Sequence, residues 1–182
     1  IPPMKEVLQP QDFVNLATAY SHLQNTDKAQ AILEEADSLF PNDVDVKFSL
    51  SLLLPDNDYQ RIEILTEILK YEYQVQPRTF DYATVYNNIA WTYCCLTQYE
   101  KGLPFAEKSV ALNSEHGYSW ETLGEIYFFL RRYEDCIEAM NKCLSCQTKE
   151  YYKSALTFRG KALIELGKKK EGKKDLEDAS KL

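Results

Sequence analysis

Glycine and proline are scarce in this chain, six and seven residues of 182. That scarcity suits helices joined by short turns. No apolar run approaches the ~20 residues needed to cross a bilayer, so a membrane span is not expected. Basic residues are outnumbered, 21 Lys and Arg against 28 Asp and Glu, and the net charge is −7 with a pI near 5.0. Nucleic-acid binding, which draws its affinity from Lys and Arg on phosphates, is therefore not expected. Histidine is nearly absent: His22 and His116 are far apart, which leaves no metal or acid–base pair. No P-loop, Rossmann glycine fingerprint, G-x-S-x-G or H-E-x-x-H occurs, so neither an enzyme nor a bound cofactor is expected. The five cysteines are odd in number and not spaced like a secreted disulfide framework, which favours a reducing, cytoplasmic setting. Ile1-Pro2-Pro3 has neither the basic nor the apolar region of a signal peptide. Because the first residue is not Met, a fragment or a processed product stays open.

What remains is an ordinary globular composition, 45% apolar and 27% charged, in a length that suits one domain. Its organising feature is a repeat. Trp120-x2-Leu123-Gly124-x2-Tyr127, followed by Cys136-x3-Met140, overlays Tyr86, Ile89, Ala90, Tyr93, Gly102 and Ala106 at a step of 34 residues. The first copy reads Phe13-x2-Leu16-Ala17-x2-Tyr20, then Ala29-x3-Leu33, with Ala36, Leu39 and Pro41 behind it. Asp27 reads as the N-cap of its second helix. The second copy, Lys47-x2-Leu50-Ser51-x2-Leu54, places a lysine where a large apolar residue is expected and turns abruptly at Pro55–Asp58, one residue short. The fifth reads Leu156-x2-Arg159-Gly160-x2-Leu163, then Gly172-x3-Leu176, Ala179 and Leu182.

This pattern of large and small residues at a fixed period resembles the tetratricopeptide repeat (TPR) family. The resemblance implies an all-α, right-handed α-α superhelical solenoid of about five helix pairs, each made of a helix A packed on a helix B. Residues 1–9 read as a leader and 10–182 as a single TPR domain. Its repeats fall near 10–43, 44–82 (degenerate, with an insertion), 83–116, 117–150 and 153–182. The lead-in from Tyr71 to Tyr82 is about six residues longer than the family pattern. It reads as an overlong helix B, a break near Pro77 and an early start to the next helix; drift in a tolerant connection and a functional loop both account for it. The array stops at helix B of the fifth pair, without the polar-faced extra helix such arrays commonly carry. The expectation is that the lysine-rich helix caps itself, or that more sequence or a second copy of the chain covers it.

Two clusters admit plain explanations. Cys143-x2-Cys146 has redox or zinc spacing, yet Cys136, Cys143 and Cys146 occupy the slots of Gly102, Ser109 and Leu112 one repeat earlier, so core packing is the expected role. Lys168–Lys170, Lys173 and Lys174 are interleaved with Glu171, Asp175, Glu177 and Asp178, which reads as a solvated helix face rather than a patch for an acidic partner.

In TPR proteins the concave groove is lined by helix A residues outside the core signature. The resemblance therefore implies a partner-binding surface made of Asn87, Asn88, Trp91, Tyr118, Glu121, Glu125, Phe128 and Phe129. Val14, Asn15 and Thr18 in the first pair, Thr122 in the fourth, and Thr157, Phe158 and Lys161 in the fifth extend it; Cys94 and Cys95 border it, and one of the two is a candidate reactive thiol. The aromatics suit binding hot spots, the asparagines suit an extended peptide backbone, and the two glutamates favour a basic or N-terminal-amine partner. A second account of Phe128 and Phe129 is packing between adjacent repeats. The Lys, Asn and Arg clamp that related domains use for a carboxylate terminus is not expected: Val14, Thr18, Tyr118 and Thr122 stand in its slots. The expected function is that of an adaptor or scaffold for a protein or peptide, with a self-assembling module, or a ligand-sensing segment of a larger regulator, as alternatives.

Overall fold

The computed structural model describes residues 8–72, 80–146 and 149–182, and the elements below are those of the described residues. They form ten α-helices: α1 (Pro10–His22), α2 (Thr26–Leu39), α3 (Val44–Leu53), α4 (Tyr59–Leu69), α5 (Tyr82–Cys95), α6 (Tyr99–Leu112), α7 (Gly117–Phe129), α8 (Tyr133–Ser145), α9 (Tyr152–Glu165) and α10 (Lys169–Ala179). A 3₁₀ turn, Lys149–Tyr151, leads into α9. No strand occurs among them, and no helix is long and apolar enough to cross a membrane. Consecutive helices pack as pairs, odd-numbered on even-numbered. The chain divides into two compact units, residues 1–80 and 81–182.

Side-chain caps start several of these helices. Asp43 accepts from the Val46 amide at 2.9 Å, Asp58 from Gln60 at 2.8 Å and Asp81 from Thr84 at 2.7 Å, each filling an amide that the first turn leaves unpaired. For α2 the cap is Asn25, which accepts from the Lys28 amide, and not Asp27, which lies inside the first turn. The expected overlong helix before Pro77 is also corrected in part. Helix α4 ends at Leu69, and Lys70–Glu72 are a turn; Pro77 itself lies outside the described residues.

Four of the five turns within pairs share one backbone device. Gln24, Thr97, Arg131 and Gly167 have φ of 58°, 56°, 60° and 81°, each directly after a leucine that ends a helix A. The following amide then donates five residues back: Asn25 to Tyr20, Gln98 to Tyr93, Arg132 to Tyr127 and Lys168 to Leu163, at 2.8–2.9 Å. This left-handed cap satisfies carbonyls that would otherwise be orphaned and reverses the chain in two residues. The second pair lacks it. Its shorter turn leaves Leu54 in an extended conformation, ψ 150°.

In unit 1, Phe13, Val14, Ala17, Ala29, Leu33, Ala36, Val46 and Leu50 form the core. Lys47, the lysine in an apolar slot, is buried beside it with its ammonium 2.9 Å from both Asp37 and Glu67. Burial works against its charge, but the bonds to the two carboxylates outweigh that and hold its pKa above the ordinary lysine value. In unit 2 one cluster joins Ala90, Cys94, Ala106, Leu123, Ile126 and Ala139, and a second joins Cys136, Met140, Cys143, Ala155 and Ala162. Arg159, another cation on a signature slot, grips Asp175 with Nε and Nη2 at 2.7 and 2.8 Å and reaches Asn141 with Nη1.

Facing glycines let α9 and α10 pack closely. A Cβ placed on Gly172 would lie 2.4 Å from the Gly160 carbonyl oxygen, and one on Gly160 would lie 2.8 Å from that of Gly172. Two outcomes follow. Gly172→Ala meets backbone that cannot give way and should cost about 3 kcal/mol, the upper end of overpacking penalties, read as a lower urea midpoint. Thr97→Gly relieves a β-branched residue of a left-handed conformation. It should add about 1 kcal/mol and raise the thermal midpoint by roughly 2–4 °C.

Candidate functional site

Helices α5, α7 and α9, the first members of the three pairs in unit 2, lie side by side, α5 against α7 and α7 against α9. Along α7 the residues Tyr118, Glu121, Glu125 and Phe129 recur every three or four positions and share a face, a stripe of about 16 Å. At its upper end is a cavity of about 380 Å³ lined by Asn87, Asn88, Trp91, Tyr118, Glu121, Thr122 and Tyr151. Five of the eight residues expected from sequence thus meet in one place. Thr122 and Asn87 are the most deeply set, 2% and 6% exposed, and Asn87 Oδ1 has no hydrogen-bond partner.

Tyr118 is held in position by its hydroxyl, which lies 2.8 Å from both Thr84 Oγ1 and His116 Nδ1. Its ring also stacks on His116, with centroids 4.9 Å apart. Thr84 in turn donates to Asp81 at 2.6 Å through its hydroxyl and 2.7 Å through its amide. Partial burial works against the charge of Asp81, but these bonds hold its carboxyl below the usual range. His116, without a role in the sequence reading, is therefore a support for the cavity wall.

The remaining three expected residues lie lower on α7, outside the cavity. Phe128 packs among Phe129, Tyr133 and Phe158, with ring centroids 5.5–5.8 Å away, which is the inter-repeat packing account. Phe129 stacks on Tyr99 at 4.5 Å and stays 45% exposed. Glu125 lies between the two regions, half-buried. Burial first, and then the charge of Glu121, push its carboxyl up to about 7, with Lys161 opposing. Burial also raises Glu121, whose carboxylate accepts from the Ser154 hydroxyl.

Tyr151 was missed by sequence reasoning because the 3₁₀ turn that carries it falls between repeats, where the signature has no slot. Val14, expected on the groove, is buried in the core of unit 1. Cys94 is buried as well: desolvation, with Glu125 adding to it, pushes its thiol far above the ordinary range, so it is not a nucleophile. Cys95 is exposed. Burial pushes Cys136 and Cys143 up to about 12, and both sit in the core between α8 and α9, as packing residues do. Among the described residues no three His, Cys, Asp or Glu side chains are grouped to hold a metal ion.

A family model for the tetratricopeptide repeat matches residues 13–43 and 118–148, the first and fourth helix pairs. Those two helix pairs are tetratricopeptide repeats. Solved structures share its fold. MamA (41-end) from Desulfovibrio magneticus RS-1 is 18% identical, with a TM-score of 0.79 over 95% of this chain and 94% of that one. A second MamA crystal structure gives 18% identity and 0.77, covering 93% and 89%. YrrB, described as a TPR protein with an unusual peptide-binding site, gives 12% and 0.71, covering 92% and 82%. At these identities the likeness is one of fold. Among curated proteins none matches the sequence. TPR proteins are typically non-enzymatic scaffolds for protein–protein contact.

The acidic stripe along α7 carries a pH signature. The folded pKa of Glu125, about 7, stands above its ordinary value of 4.5, so its ionisation destabilises the fold progressively as pH rises from 4.5 to 7 and no further above that. Glu125→Gln should therefore raise the thermal midpoint at pH 8 and leave it nearly unchanged at pH 4, measured by circular dichroism at both values.

Proposed function

We propose that the face of α5, α7 and α9 holds an extended segment of another protein, and that the chain acts as an adaptor or scaffold through it. The cavity carries this reading. A tyrosine anchored through its hydroxyl, a tryptophan, two adjacent asparagine amides and a half-buried carboxylate converge there, on side chains that the repeat signature does not use. The stripe along α7 is about 16 Å long, enough for roughly five residues of extended chain. Asn88 supplies an amide that can pair with a peptide backbone, and Trp91 supplies the large rigid surface typical of hot spots. YrrB, of the same fold, is described as having an unusual peptide-binding site, which supports peptide binding as a use of this fold.

The test is affinity capture from the source cell's lysate, with wild type beside an Asn88→Ala/Trp91→Ala double variant whose helical content is first shown to be unchanged. A partner held by wild type should be recovered at least about tenfold less by the variant, as loss of a hot spot predicts. Equal recovery of the same partner by both proteins would move the function off this face.

A further inference from the structure

The wall of the cavity holds a buried acceptor with nothing to accept from. Asn87 is buried to within 6% of its surface, lines the cavity, and leaves Oδ1 without a donor. Across from it on α7 is Glu121, one of whose carboxylate oxygens, Oε1, takes the Ser154 hydroxyl while Oε2 remains. Among the described residues neither Glu121 nor Glu125 has an ion-pair partner within 4.0 Å. Lys161, the one cation acting on Glu125, is exposed and has its Nζ 5.3 Å from the Phe158 ring centroid. Trp91, Tyr118 and Tyr151 complete the walls.

We propose that this cavity seats an alkylammonium group of the bound segment, either a lysine side chain or an amino terminus, with Glu121 as its counter-charge and Asn87 Oδ1 as its second acceptor. The proposal rests on the α5, α7 and α9 face being the binding surface. A carboxylate or carbonyl ligand would leave Asn87 unpaired and face Glu121 with the wrong sign. A guanidinium is the poorer fit, because its rigid planar fork aims its donors in one plane, whereas Glu121 and Asn87 stand on different helices. An ammonium is a compact charge with three freely directed donors, which suits acceptors on two different helices. Aromatic walls attract such a cation and exclude water from it.

The experiment is an amide NMR titration of the full 182-residue chain, following the Trp91 indole and Asn87 side-chain signals. The probes are three short peptides: acetyl-Ala-Ala-Lys-Ala-Ala-amide, the same peptide with neutral norleucine in place of lysine, and Ala-Ala-Ala-Ala-Ala-amide with a free amino terminus. The lysine peptide, the free-amine peptide or both should shift these signals saturably, the norleucine peptide should not, and the tighter of the charged pair identifies the source of the ammonium. Glu121→Gln, which can still accept from Ser154, and Asn87→Leu, which keeps the volume, should each weaken that binding at least about tenfold with the amide spectrum otherwise unchanged. Equal shifts from the norleucine peptide at these same residues would overturn the ammonium site and leave the groove standing. Shifts confined to residues outside α5, α7 and α9 would overturn both. Absence of any shift from either charged peptide, or full binding by Glu121→Gln, would overturn the ammonium site.

Discussion

The close approach of the two helices in each pair sets the terms for this protein. Helix A can lie against helix B only where one backbone presents a small residue to the other. In the fifth pair that contact is glycine against glycine, with no room for a methyl group on either side. In the fourth it is Gly124, whose missing Cβ would lie 2.6 Å from the Met140 methyl. In the third it is Gly102, where an added Cβ would lie 3.1 Å from the Ala90 carbonyl oxygen. With the backbones this near, the connecting turn must reverse the chain in two residues, and the left-handed cap does so. Packing and turn are therefore one constraint, which is why both recur at the same place in pair after pair.

Polar residues in apolar slots show what that framework tolerates. Lys47 is buried but shared between two carboxylates, and Arg159 is matched by Asp175 and Asn141, so each charge has its partners. Asn87 has no partner for its amide oxygen. The difference is one of partners: Lys47 and Arg159 meet carboxylates on neighbouring helices, while no donor faces Asn87 Oδ1. A polar group that is satisfied belongs to the structure. One that is buried and unsatisfied calls for an explanation outside the packing, and here a bound segment is the one proposed.

Much of this was legible in the amino-acid order. The 34-residue step from Tyr86 to Trp120 gave the pairing of helices, because a solenoid repeats its contacts with its sequence. The small slots at Gly124, Cys136 and Ala90 gave the sites of close packing, and the same register put Cys143 in the core despite its tempting CxxC spacing. Asn87, Asn88, Trp91, Tyr118 and Glu121 were separable from the core because helical periodicity puts them on another face of their helices. Val14 shows where that inference stops. It has the spacing of a groove residue, yet it is buried, since the slot fixes a direction along the helix and not what lies opposite.

Sequence by itself thus determined the helix pairs, their register and the candidate face, all of which follow from local spacing. Only the tertiary structure decided that Tyr118 is held by His116 and Thr84, that Tyr151 closes the cavity, that Phe128 is packed between repeats, and that the two glutamates are raised by burial. Each of these depends on residues from different helices meeting, often some thirty positions apart. Spacing along one helix carries no information about the neighbour's side chains, and a carboxylate's pKa is set by the low-dielectric surroundings that those neighbours create.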